Sequence, residues 1–222
     1  MAARRRSGES SPTTGTQPHV DRLADNTARA HNLVSLYRAI AESERGRRSV
    51  GDVDLLRSAV VLLHASLEDF LRSLARRYLP QAQPDVLNEI PLVRGDHVGR
   101  ADRILLGHLH EHRGRTVDEL IEESVAAHLE RSNFNSSTQV AGLLEGLGLD
   151  VEPLRRFFSQ LDQMMRRRHQ IVHRADCTSE TGRGRHRAHS LSASTVEQWI
   201  NVVLDMHAIL QYQVEMRLAQ NV

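Results

Sequence analysis

The residues most able to do chemistry stand together in Arg166-Arg167-Arg168-His169-Gln170-Ile171-Val172-His173-Arg174-Ala175-Asp176. They put a run of fixed positive charge and two imidazoles at the end of an apolar helical segment. Burying that much charge against a core would be costly, so the segment is expected to face an anion. Arginine forks match phosphate oxygens, and a histidine titrating near neutrality can move a proton. Together these are the parts needed to cleave a phosphodiester without a metal. His169 and His173 are four residues apart and share a face of a continuous helix, with Ile171 and Val172 between them holding them against the core. The same spacing permits a metal pair, but no carboxylate or thiol nearby is placed as a third ligand, so no metal site is assigned. A solvated basic helix end interacting with the helix dipole is the plainer alternative.

Other clusters carry less. His108, His110 and His112 alternate as ligands on a strand would, but their context reads helical and scatters them over the surface. His186 and His189 lie in an arginine-rich loop and either assist phosphate binding or have no role. Glu68 and Asp69 sit beside His64 in the most apolar helix, either on an exposed polar stripe or paired with an arginine near the basic cluster. There is no G-x-S-x-G, no G-x-x-x-x-G-K-[ST] and no strand to carry either, which removes the nucleophile elbow, the P-loop and the dinucleotide fingerprint.

The elements that position the cluster are read as helices. With 40% hydrophobic but only 4% aromatic residues, the 222-residue chain must build its core from Leu, Val, Ile and Ala. Helical spacing runs from Val20 to about Arg45, broken by Gly46 to Gly51. A long helix from about Asp52 to Leu79 carries a broad apolar stripe and is closed by Pro80. Residues 80–97 form a connection with at most a short helical turn. Two shorter helices follow at about 98–112 and 116–131, the second opened by a capping box of Thr116 and Glu119. Ser136 or Ser137 caps a short helix ending in Gly146-Leu147-Gly148-Leu149-Asp150. Pro153 suits the first turn of the helix that bears the basic cluster, a loop covers about 177–190, and a last helix spans about Ser194 to Leu218. No segment alternates as a strand does. The class is all-α, an antiparallel bundle of long helices, with residues 1–18 a disordered basic tail and residues 19–222 one domain.

Composition restricts the setting. There are 29 basic and 28 acidic residues, a net charge of +1, so a nucleic-acid surface must be local. Every basic residue is an arginine, a bias that a GC-rich coding sequence explains as well as function does. The lone Cys177 excludes an internal disulfide framework and fits a reducing cytoplasm. No apolar run approaches the roughly 20 residues of a membrane span, and the basic N-terminus lacks the hydrophobic stretch of a secretory signal.

Arg168-His169-Gln170-Ile171-Val172-His173 resembles the R-x4–6-H motif of HEPN domains: an arginine, a polar residue, three further residues and a final histidine. The preceding Leu161-Asp162-Gln163-Met164-Met165, the following Arg174-Ala175-Asp176 and Leu63-His64-Ala65-Ser66-Leu67-Glu68-Asp69-Phe70-Leu71 upstream also look like this superfamily. The Phe134-Asn135-Ser136 turn leading to Gly148-Leu149-Asp150 is most similar to the RiboL-PSP-type subgroup. The resemblance covers roughly residues 20–218. It implies a helical bundle that dimerises, bringing two motifs to one cleft, and for many members a metal-independent RNase of toxin–antitoxin or antiviral systems. Carried over, Arg168 would neutralise the scissile phosphate, His173 would be the acid/base group and His169 would orient them. Arg166 and Arg167 also fall within the motif's window, so three arginines compete for the first role, and Arg166, Arg167 and Arg174 are the expected substrate-binding residues. The implied partners are RNA, a second copy and an antitoxin or regulatory protein, with no membrane and no cofactor. A non-catalytic module binding nucleic acid or protein remains the alternative.

Overall fold

A computed structural model describes residues 17–43, 50–93, 106–174, 176 and 189–220. Those residues form an all-α fold, and among them there is no strand. Four long helices dominate: α1 (Gln17–Ser43), α2 (Val50–Tyr78), α6 (Phe158–Arg174) and α7 (Ala193–Gln220). Three shorter ones complete it: α3 (Pro84–Leu87), α4 (Val117–Arg131) and α5 (Ser137–Gly146).

The central element is α2, which packs against α1, α4, α6 and α7. Its sequence explains the position. Leu56, Ala59, Val60, Leu63, Leu67, Leu71 and Ala75 recur at helical spacing and are all buried. Fully burying a leucine or valine contributes roughly 1.5–3 kcal/mol, so a stripe this wide can hold several neighbours. Ion pairs report how the helices run. Arg22, early in α1, meets Asp69, late in α2, at 3.0 Å. Arg38, late in α1, meets Glu197, early in α7, at 2.6 Å. Arg57, early in α2, meets Asp176, just beyond α6, at 2.7 Å. All three pairs of helices are therefore antiparallel, as the sequence predicts for the bundle.

Local chemistry sets the helix ends. Pro80 turns the end of α2 into a 3-10 turn, Leu79–Gln81, because it cannot continue the hydrogen-bond ladder. Thr116 and Glu119 form the expected capping box of α4, each accepting from the other's backbone N–H. Of the two serines, Ser136 is the cap of α5 and accepts from Gln139 N at 3.2 Å. Gly148, at φ +71°, makes the turn after α5, a conformation that costs glycine little. Pro153 opens a 3-10 segment, Glu152–Phe157, that leads into α6.

Of the expected helix at about 98–112, residues 98–105 lie outside the described residues and the remainder is a 3-10 segment, Leu106–His112. His110 is exposed there and His112 half-buried. Residues 1–16, most of the expected tail, and the loop at 177–188 with His186 and Cys177 lie outside the described residues. Gln17 and Pro18, expected in the tail, begin α1.

Candidate active site

The core face of α6 begins with Leu161, Met164 and Met165, all buried. Arg168 follows seven, four and three residues after them, so the helix carries it onto the same face. A guanidinium there stands where the pattern calls for a hydrophobe. Arg168 is half-buried, and its Nε is buried with no hydrogen-bond partner among the described residues. The stem can lie along apolar surface while the head reaches outward.

The other arginines go elsewhere. Arg167 lies one residue back around the helix, and its Nη2 donates to Asp176 Oδ2 at 2.8 Å and to the His189 carbonyl at 2.9 Å. Arg57 of α2 reaches the same Oδ2 from the other side at 2.7 Å, and also binds Asp54 at 2.7 Å. Asp176 has no exposed surface. Burial works against the Arg57 charge, but its bonds to Asp176 and Asp54 outweigh this and raise its pKa. Burial lowers that of Arg167, which must share its carboxylate with Arg57. Arg166 and Arg174 are exposed.

Asp176 holds this arrangement in an unusual backbone state, φ 57°, which aspartate tolerates better than most residues. Its N–H closes over the last turn of α6 on the Gln170 carbonyl at 3.1 Å, and its carbonyl accepts from His189 N at 2.9 Å. The exit of α6 and the approach to α7 are thus joined by main-chain bonds, with two arginines locking the carboxylate between them.

His169 and His173 do share a face, with ring centroids 4.6 Å apart and planes tilted by 45°. They are not held against the core. Both rings are exposed, as is Val172 at 48%, and only Ile171 packs on the core. The helical rotation explains this: Ile171 turns inward with Arg168, which carries His169 and His173 away from the buried stripe.

Across from α6, α2 contributes His64 and Glu68. His64 is completely buried, and neither ring nitrogen has a hydrogen-bond partner among the described residues. Its Nδ1 lies 3.7 Å from Glu68 Oε2. Burial lowers the His64 pKa; Glu68 opposes this, Arg168 adds to it, and the Phe134 backbone offsets part of it. Glu68 in turn accepts from Phe134 N at 3.3 Å, so it is half-buried and engaged, whereas Asp69 is at the surface with Arg22. A groove of about 570 Å³ opens between the earlier turns of α2 and the end of α6, lined by Asp54, Arg57, Val61, Leu62, Ala65 and Ile171 among others.

A model of the RiboL-PSP-HEPN family matches residues 24–215, nearly the whole described fold. The chain belongs to the RiboL-PSP-HEPN family. No curated protein and no solved structure gives a significant match. Membership places this HEPN domain among nuclease or nucleotide-binding modules. Among the described residues, no helix is long and apolar enough to cross a membrane.

The sequence points to the cluster on α6, and the fold gathers Arg168, His169 and His173 on one helix end. It draws Arg167 into the Asp176 lock and leaves Arg166 and Arg174 at the surface. Arg57 was not identified from sequence, since one arginine in a long amphipathic helix carries no signal of its partner. Asp176 had a signal, a carboxylate two residues beyond a basic helix end.

Proposed function

We propose that this HEPN domain is a metal-independent endoribonuclease of the toxin or antiviral-defence kind. The observation that carries the reading is one helix end with a half-buried Arg168 guanidinium and the exposed, adjoining imidazoles of His169 and His173. RNA suits such a site because its own 2′-hydroxyl is the nucleophile. In the reaction, the 2′-oxygen attacks the adjacent phosphorus and its proton passes to a histidine. The bond to the 5′-oxygen breaks, and that oxygen takes a proton. The products are a 2′,3′-cyclic phosphate and a 5′-hydroxyl.

Arg168 would stabilise the charge that grows on the phosphorane, where a partly desolvated cation is most effective. His173 would exchange the proton, and exposure keeps it within reach of substrate. His169, in ring contact with His173, would set its orientation. Arg166 and Arg174 would hold the flanking phosphates. Arg167 is assigned to the lock at Asp176, which fixes the helix end on which the others stand. In a homodimer, a second His173 would supply acid where the first supplies base. An antitoxin or other regulatory protein would then cover this surface.

The test is cleavage of total and transfer RNA in excess EDTA by wild type and His173→Ala. Cyclic-phosphate ends from wild type alone are expected. RNA binding by both proteins with no cleavage by either would replace the reading with that of a non-catalytic binding module.

A further inference from the structure

Among the buried polar nitrogens without partners among the described residues are Nδ1 and Nε2 of His64 on α2, and Nε of Arg168 on α6. A buried donor or acceptor left unmatched has lost its water with nothing in return, so such groups are expected to find one another. The register of the two helices brings the two side chains to the same stretch of the contact, with no hydrogen bond closed between them here. Near the start of α6, Asp162 accepts from Ser137 N at 2.8 Å, while Glu68 accepts from Phe134 N, three residues earlier, at 3.3 Å. Near its end, Ile171 lines a groove with Val61, Leu62 and Ala65. The helices run antiparallel, so Arg168, one turn before Ile171, falls opposite His64. The positive charge of Arg168 disfavours protonation of His64, in keeping with that placement.

We propose that His64, oriented by Glu68, is a positioning residue for Arg168. The Glu68 carboxylate, 3.7 Å from Nδ1, favours the tautomer with its proton on that nitrogen. Nε2 is then left to accept from Arg168 Nε–H, which fixes the guanidinium plane and turns its outer N–H groups toward the phosphate. His64 has no exposed surface and so cannot touch substrate; its effect passes through Arg168. This inference rests on the nuclease reading for its consequence in turnover, but not for its geometry.

Full-length wild type, His64→Phe, Glu68→Gln, Arg168→Ala and the His64→Phe/Arg168→Ala double variant separate the possibilities. His64→Phe keeps a ring and removes both nitrogens; kcat is expected to fall on the order of 10²-fold, the cost of misplacing a reacting group by about 1 Å. In the Arg168→Ala background the same change should cost nothing further, an outcome a merely structural role would not give. The second readout is the Arg168 Nε–H resonance, assigned by its loss in Arg168→Lys. It should exchange slowly in wild type and shift in His64→Phe.

Full activity in a folded His64→Phe variant, or equal losses in both backgrounds with an unmoved resonance, would overturn the proposal. If His64→Phe fails to fold, Glu68→Gln carries the same comparison, since its amide oxygen still accepts from Phe134 N–H. If wild type cleaves no RNA, the nuclease reading fails and the resonance alone decides the positioning.

Discussion

Arg167 and Asp176 are joined by a 2.8 Å hydrogen bond between a guanidinium only 13% exposed and a carboxylate with no exposure. Arg168, the next residue, has no such partner among the described residues, and this difference separates two adjacent arginines that sequence treats alike. Among the described residues, one cation is matched by a buried carboxylate and the other is not.

The first expected outcome concerns that lock. Asp176→Ala leaves Arg57 and Arg167 facing each other with no anion between them. Removing one member of a buried ion network costs about 3–5 kcal/mol, and urea unfolding should show a loss of that size. Arg167→Met should cost less, because Arg57 keeps its bond to Asp176 and the thioether fills space. A loss under about 1 kcal/mol for Asp176→Ala would mean that the carboxylate behaves as a solvated surface partner.

Activity should divide the arginines the other way. Arg168→Ala is expected to lower kcat on the order of 10²–10³-fold, the usual cost of removing one stabiliser of a charged transition state. His173→Ala should lower it roughly 10²–10⁴-fold with an unchanged melting temperature, since its ring is exposed and supports no core. Arg167→Met should lose stability before activity. Steady-state kinetics beside thermal melts distinguishes these, and equal kinetic losses at Arg167 and Arg168 would show that neither alone serves the phosphate.

How much was legible beforehand follows from what kind of information each feature needs. The helices and their caps were readable because periodicity and capping are local: Thr116 with Glu119, Pro80, and the stripe of α2 each lie within a few residues. The helical frame of Arg168, His169 and His173 was equally local. The exposure of the two histidines was misjudged, because two apolar neighbours do not determine which way a face turns once the helix meets its partner. Choosing between Arg167 and Arg168 required knowing where Arg57, 119 residues from Asp176, would arrive. That depends on the register of α2 against α6, which no local pattern encodes. Glu68 likewise could be named, but its acceptor role toward Phe134 N became visible only in three dimensions.

Stability should fall as the solution is acidified. His64 and His207 are buried, and burial lowers both pKa values below the ordinary 6.5. His207 packs edge-on against Phe70 with centroids 4.7 Å apart, and its Nε2 has no partner among the described residues. Below pH 6.5 the unfolded chain takes up protons that these folded histidines resist, so unfolding is favoured. The contribution is fully present above that pH and is lost as pH falls toward the folded values, at most about 1.4 kcal/mol per pH unit for each group. Urea unfolding from pH 7.5 down to about 5.5 should show the decline, and His207→Phe should flatten it. An identical pH dependence in that variant would remove His207 from the account.

RNA affinity should depend steeply on salt despite a net charge of only +1. The exposed Arg166 and Arg174 flank the two histidines in sequence, and on the proposed nuclease reading they would meet phosphates on either side of a bound scissile group. Each phosphate neutralised on a single strand releases counterions worth a slope of about 0.7 in log K against log salt. Replacing both arginines by glutamine should therefore reduce the slope by about 1.4, and weaken binding with little regard to sequence. The measurement is best made on catalytically silent His173→Ala, so that substrate survives the titration. A slope unaltered by the double change would mean that the RNA backbone runs elsewhere on this HEPN surface, while a drop of about 0.7 would leave one contact and single changes would say which arginine makes it.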